Sequence, residues 1–547
     1  MKILILGGYG TFGGRLAELL CDIPDLHLQI CGRAIGKATA FCATLSGHAT
    51  HHAFDRADLA KHIKTLAPDL VVDASGPFQD YGDARYSVIE TCIAAQTDYM
   101  DFADAADFVF GVSAFDQAAK DAGIYVLSGV SSFPVLTAAV LREIAKEFPI
   151  TDVTGGIAPS PYAGIGLNVM RAVVGYAGGP VKLTRNGQQT TALGLTESRR
   201  YTIAVPGKTP LNNIRFSLVD VPDLQVLPPA HPSLQNIWMG AGPVPEFLHR
   251  ALNMLAIARA KLGLPSLTPL SPLFHRILNL MKFGEHRGGM YIHAKGDSAE
   301  MSWHLLAEGD DGPYIPSMSI EALVRKQLRG TRPENGERPA TAALTLAELD
   351  AVFAGKTITT GFRRPLPRTA PLYRHILGDA FDMLPPQVRA LHDDTTSRTW
   401  QGTGSVRRGT GFLANIIGAL FGFPKTTEAT SVTVDFDYKD GVETWRRAFG
   451  AHKFHSVQSR GAGRKTHLLM ERFGPITAAL AVTIADDRLY LIPRHWSFLG
   501  LPLPKFLMPA GNSFETEIDG KFAFDVEIAA PFIGLIAAYR GQLTRTV

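Results

Sequence analysis

The sequence predicts an α/β protein: a doubly wound parallel sheet at the start, a middle segment of mixed pattern, then a separate α+β domain with an antiparallel sheet. Three observations carry this. The chain opens with an apolar run, a glycine cluster and a helical pattern, "MKILILGGYGTFGGRLAELL". Helix, strand and loop then alternate in five or six units over about 135 residues, the pattern of one doubly wound domain. Beyond "GFRRPLPRTAPL", with Pro365, Pro367 and Pro371 among arginines, the pattern becomes β-rich, and such a proline cluster reads as a linker.

Composition bounds the answer. A chain of 547 residues exceeds one ordinary core, and roughly two to four domains are expected. Hydrophobic residues make up 46% and charged residues 19%, as in globular chains. The net charge of +3 leaves no electrostatic footprint for nucleic acid. Cys21, Cys31, Cys42 and Cys92 are the four cysteines, with no metal-site spacing, which suggests a reducing compartment. No basic leader precedes Ile3, and apolar stretches such as "GFLANIIGALFGF" are too short to span a bilayer. The expectation is a cytoplasmic protein with no transmembrane segment and no metal.

Ile3 to Leu6 read as a buried strand of a parallel sheet. Gly8, Gly10 and Gly13 follow as G-x-G-x-x-G, with Tyr9, Thr11 and Phe12 between them. In a Rossmann turn the first glycine allows the tight bend, the second admits a pyrophosphate, and the third lets helix and strand approach. The following helix then offers free N–H groups and its positive dipole end to the anion. The next strand, "LHLQICGRA", carries Arg33 where an NAD site would carry an acid. Arginine there suits a 2′-phosphate, so the expected cofactor is NADP(H). A third strand, Leu70 to Val72, ends in Ser75, Gly76 and Pro77, a loop expected at the nicotinamide half because ligands bind beyond the carboxyl ends of such strands. Tyr99, Asp101 and Asp104 sit at the end of a further strand, on the cleft side. They are the candidate proton donors or acceptors accompanying hydride transfer; the alternative is that Asp101 caps a helix and Tyr99 packs.

Other chemistry is weaker. Tyr291 and Lys295 form Y-x-x-x-K, but "MYIHAKG" reads as a strand, which separates the two by about 13 Å. Pro245 to Leu262 and Pro272 to Phe283 read as helices with broad apolar faces and basic residues. Packing helices that line a greasy pocket fit best; a membrane-surface contact is the alternative. In the tail, "SVTVDFDY" alternates strictly and "FETEIDGKFAFDVEI" is a hairpin turning at Asp519-Gly520. Gly402, Gly404, Gly409 and Gly411 read as an exposed turn. Trp445, Arg446, Arg447, Glu471, Arg494 and Trp496 are candidate pocket residues.

Four blocks, "LGGYGTFGGRLAELL", "VVDASGPFQDYG", "CIAAQTDYMDF" and "GVSSFPVL", together resemble the saccharopine dehydrogenase-like family. The similarity resumes at "GDDGPYIPSMSIEALVRKQLRG". It implies an NADP-binding Rossmann domain over 1–137, completed by about 311–360, and an inserted α/β substrate or dimerisation domain over 138–310. The linker is then 361–371. The tail, 372–547, resembles a bacterial domain of unknown function through "LYRHILGDAFDMLP", "WQGTGSVRRGTG", "RHWSFLGLPLP" and "AAYRGQL". That fusion argues against saccharopine as the substrate. The expected activity is NADP(H)-dependent hydride transfer to or from a small, hydrophobic or lipid-derived substrate between the first two domains. Arg171, Arg199 and Arg200 keep open a carboxylate clamp for an amino acid. The rival class is a non-catalytic NADP(H)-responsive binding protein. A homodimer is compatible with either.

Overall fold

The structure, a computed structural model, describes residues 1–243 and 245–546. It divides into two compact units: 1–200 with 215–360, and 201–214 with 361 onward.

In the first unit, strands β1 (Lys2–Leu6), β2 (His27–Gly32), β3 (Ala49–Ala53), β4 (Leu70–Asp73), β5 (Asp98–Asp101) and β6 (Tyr125–Ser128) alternate with helices. Later strands of the chain are β7 (Asp152–Ala158), β8 (Pro180–Arg185), β9 (Gln188–Leu193), β10 (Ser198–Ile203), β11 (Leu211–Leu218), β12 (Asn236–Ala241), β13 (Arg287–Lys295), β14 (Glu300–Glu308), β15 (Gly336–Pro339) and β16 (Ile358–Arg363). The first sheet is wholly parallel, ordered β15-β6-β5-β4-β1-β2-β3. Ile3 to Leu6 and Leu70 to Val72 are buried, as continuous apolar runs must be when helices cover both faces. Strand order reverses between β1 and β4, and Leu6 and Asp73 stand in register at that edge. A crevice beyond the carboxyl ends is expected there.

The second sheet is mixed, ordered β10-β11-β12-β7-β13-β14-β16. Its centre is apolar: Trp303, Tyr291 and Phe216 are all but inaccessible. Tyr291 sits in β13 and packs its ring 5.0 Å from that of Phe216, so the Y-x-x-x-K pair lies on a strand. The helices Glu246–Leu262 and Ser271–Leu280 form where expected, but their apolar faces are not buried throughout. Phe247, Met254, Leu262, Leu273 and Leu280 are more than half exposed, because only one side of each helix packs into the cluster around Met170, Val174 and Ala177. No helix among the described residues is long and apolar enough to cross a membrane.

The second unit's sheet is built from β17 (Arg398–Arg408), β18 (Thr427–Lys439), β19 (Val442–Phe449), β20 (His452–Arg460), β21 (Leu469–Phe473), β22 (Ile476–Ala485), β23 (Arg488–Phe498), β24 (Leu501–Pro502), β25 (Phe514–Ile518), β26 (Lys521–Ala530) and β27 (Gly534–Arg545). Neighbours pair antiparallel. β17 joins β27, and β22 joins β23, so ten strands close into a barrel with β24 appended. Closure removes the exposed edges an open sheet would leave. The glycine-rich stretch at 402–409 is therefore not an exposed turn. Gly402 and Gly404 lie inside β17, where a Cβ on Gly402 would stand 2.0 Å from the Gln542 carbonyl oxygen of β27.

Candidate active site

β1 ends at Leu6, and the chain turns at Gly7, whose φ of +72° suits glycine. The tight-turn role expected at Gly8 belongs to Gly7, a residue the motif spacing passed over. A Cβ on Gly7 would lie 2.7 Å from the Ala74 carbonyl oxygen, and one on Gly13 would lie 2.5 Å from the Gly7 carbonyl oxygen. The helix Thr11–Leu20 starts at Gly10 with no side-chain cap. The first-turn N–H groups of Thr11, Phe12 and Gly13 are those a helix leaves without internal acceptors. This cradle has the form that an anionic group needs.

Other candidates divide between cradle and scaffold. Tyr9 packs its ring on Gly32, and its hydroxyl accepts a hydrogen bond from the Ala34 N–H at 2.9 Å. It thereby fixes the loop that carries Arg33. Arg33 stands exposed just past β2, with no carboxylate partner among the described residues. Phe12 stacks on Phe102 at 5.8 Å. The Ser75 loop is held from both sides. Asp73 accepts from the Ser75 N–H at 3.0 Å and from the Ser75 hydroxyl, and pairs with Arg56 at 3.2 Å. The Asn168 amide donates to the Gly76 carbonyl at 2.9 Å. The loop Ser75-Gly76-Pro77 thus meets the inserted segment.

Two candidates for proton transfer do not reach an open surface. Tyr99 is fully buried, and burial pushes its phenol well above the ordinary value. Asp101 is also fully buried; burial pushes it up to about 7. Its carboxylate accepts from Ala103 N–H at 2.9 Å and Gly129 N–H at 2.7 Å, tying β5 to the turn after β6. These are structural positions: an alternating strand sends Tyr99 and Asp101 to one face, beneath the helices.

Asp104 differs. It borders a cavity of about 360 Å³ between the carboxyl ends of the parallel strands and the second sheet. Phe12, Phe133, Met170, Val219, Leu252 and Leu278 supply much of its apolar wall. Among the few polar groups are Asp104, Asp220, Tyr176 and His249. Burial raises Asp104, whose carboxylate accepts from Gln79 at 3.2 Å. Burial, helped by Asp107 and Asp104, pushes Asp220 up to about 6. Burial holds the Tyr176 hydroxyl protonated and lowers His249 to about 4. Asp220, Tyr176 and His249 went unseen in the sequence because no local motif marks them; the segment after β11 and the helices Leu167–Tyr176 and Glu246–Leu262 bring them to the cavity that Asp104 borders. Thr11, Arg15, Ala163 and Pro313 border both this cavity and a polar groove of about 520 Å³ along the first helix.

The arginine clamp that Arg171, Arg199 and Arg200 left open is not assembled. Arg199 lies on Trp238 and donates to Thr154, Arg200 pairs with Glu246, and Arg171 donates to Asn168 at 3.4 Å. None of the three borders the cavity.

A dinucleotide-type cradle beside an apolar, carboxylate-bearing cavity defines a nucleotide-dependent α/β protein. Residues 3–127 match the family model "Saccharopine dehydrogenase NADP binding domain", and residues 384–543 match a domain of unknown function, DUF4166. The chain thus carries a saccharopine dehydrogenase-type NADP-binding domain near its N-terminus and DUF4166 in its tail. No curated relative matches the chain. Similar solved structures include saccharopine dehydrogenase (L-Glu forming) from Saccharomyces cerevisiae, at 14% identity and TM-score 0.46, covering 66% of this chain and 99% of that one. A probable dehydrogenase from Thermotoga maritima aligns at 11% identity and TM-score 0.34, covering 64% and 93%. An amine dehydrogenase from Mycobacterium smegmatis aligns at 10% and 0.33, covering 62% and 95%.

Proposed function

We propose that the first unit is an NADP(H)-dependent oxidoreductase acting on an uncharged, hydrophobic substrate. The observation that carries this is the apolar cavity that meets the glycine-turn helix at Thr11 and Phe12. The glycine turn suits the cofactor: Gly7 and Gly13 let strand, turn and helix close together, since Cβ atoms there would run into the Ala74 and Gly7 carbonyl oxygens, and the helix start is left open to an anion. The N–H groups of Thr11, Phe12 and Gly13 would hold the pyrophosphate, Arg33 the 2′-phosphate, and the Ser75 loop the nicotinamide side. The cofactor, when bound, supplies or accepts hydride.

The chain's own residues do the rest. The apolar wall excludes water and binds the substrate's hydrocarbon part. Asp220, held near pKa 6 by burial, is suited to give or take a proton near neutrality. Tyr176 remains a hydroxyl donor, and Asp104 is the second carboxylate at the wall. Asp104 and Asp220 share the wall with Arg15, which lies at the border with the groove; one arginine does not make the paired clamp that an amino acid's carboxylates need, which favours a neutral carbonyl or alkene.

Calorimetric titration of NADPH and NADH into the protein and into Arg33→Ala tests the cofactor assignment. NADPH should bind tighter than NADH, and the variant should lose about tenfold to a hundredfold in NADPH affinity, the worth of charge-assisted hydrogen bonds. Binding of neither nucleotide overturns the oxidoreductase reading.

A further inference from the structure

The second unit holds a cavity of its own. Alternation along its strands sends Val432, Val434 and Phe436 of β18, and Phe522, Phe524 and Val526 of β26, to the barrel's interior. Side chains can fill a barrel of about eight strands, and more strands leave room inside. This ten-stranded barrel keeps a hollow of about 210 Å³ with an almost wholly apolar lining. An empty apolar hollow forfeits dispersion contacts that packed side chains would make. A ligand restores them.

We infer that this barrel is a binding site for one uncharged, chain-like lipid, loaded from a membrane surface through the end covered by helix Phe412–Leu420. The interior charges decide the ligand's charge. Arg447 donates to the Ser456 hydroxyl at 2.8 Å and lies 3.6 Å from Glu471. Glu471 accepts from Ser456 at 2.8 Å and from the Gln458 amide at 3.1 Å. Glu515 lies 2.6 Å from His392. Each charged group lining the hollow near its core already has a side-chain partner. A carboxylate head would add an uncompensated charge to an apolar interior, which is costly. A hydroxyl or carbonyl head costs much less, and less again where it meets one of these polar groups.

The access route follows from topology. In an up-and-down barrel alternate turns share an end. Helix Phe412–Leu420 lies at the end where β17 finishes and β18 begins. Ile417, Phe421 and Phe423 reach the cavity from this side. The helix's outer face is bare: Phe412 is 79% exposed and Leu420 76%. The same end carries Leu499, Leu501, Phe506 and Phe532, each more than two-thirds exposed. Lys425, Lys453 and Lys505 are exposed there, as is Arg407, against Glu428 and Glu527. Bare aromatic and aliphatic side chains with a basic surplus suit an anionic bilayer surface. A ligand insoluble in water is held in such a surface.

The test uses the full-length protein with two fluorescent polyenes of one chain, cis-parinaryl alcohol and cis-parinaric acid. The alcohol should bind at least about tenfold more tightly than the ionised acid, given the cost of burying an unpaired charge. Ala478→Trp, which fills the cavity, should remove one equivalent of bound alcohol while leaving NADPH affinity unchanged. Unchanged alcohol binding in that variant overturns the proposal, and so does equal or tighter binding of the acid. Phe412→Asp with Leu420→Asp alters only exposed positions. It should leave equilibrium affinity intact and slow uptake of the alcohol from phosphatidylglycerol vesicles at least fivefold, a loss on the scale of about 1 kcal/mol. Uptake at the parent rate overturns the membrane route. NADPH affinity reads the first unit alone, so failure of either reading leaves the other standing.

Discussion

Asp220 shows how much one side chain's surroundings decide. Its ordinary carboxylate value is 3.8, and burial beside Asp107 and Asp104 raises it to about 6. The folded chain thus keeps a proton that the unfolded chain has released. The stability this lends is complete below pH 3.8 and is lost as pH rises to about 6. Above that, burying the charge costs about 2–3 kcal/mol. Asp220→Asn removes the ionisable group and keeps the shape. Its unfolding midpoint should exceed that of the parent at about pH 8 and match it at about pH 4, with turnover falling at every pH. A thermal melt at each pH, beside a rate profile, reads both. Equal midpoints at alkaline pH would mean that Asp220 is not buried as a charge. At this same scale the sequence was partly legible. Arg33 and the glycines are marked by spacing within one loop, whereas Asp220 and Tyr176 are ordinary residues until the fold gathers them.

Among the elements, β17 carries the clearest lesson. Its glycines look like a turn in the sequence, because glycine spacing speaks of backbone freedom. In the structure they serve close approach instead. Gly402 leaves room for the Gln542 carbonyl oxygen at barrel closure, and Gly404 does the same for that of Arg540. Gly402→Val should destabilise the second unit by about 2–4 kcal/mol, as overpacking against backbone does. Guanidinium unfolding followed by tryptophan fluorescence would reveal this, and an unshifted midpoint would refute the closure argument. The apolar helix Phe412–Leu420 is a second case. Its sequence is apolar nearly all round, which reads as buried. Only the Ala414 and Gly418 side is buried, because the barrel mouth offers a single contact face.

At the scale of the whole molecule, two compact units each hold an apolar cavity beside a few polar groups. Ligands specific to each should act locally. In hydrogen–deuterium exchange, NADPH should slow exchange over residues 7–14 and 74–77 and leave 412–423 unchanged. cis-Parinaryl alcohol should do the reverse. Protection of both regions by one ligand would contradict the assignment of separate sites.

The amino-acid sequence by itself determined the parallel sheet, its glycine cradle and the β-rich tail. These are written in contiguous patterns: apolar runs, a fixed glycine spacing, a period of two. Tertiary structure alone decided that the tail's sheet closes and stays hollow, that Tyr99 and Asp101 lie inside while Asp104 reaches a cavity, and that Asp220 and Tyr176 join it. The physical reason is that closure and burial depend on contacts between residues far apart in the chain, and no local pattern records which strand or side chain will arrive on the other side.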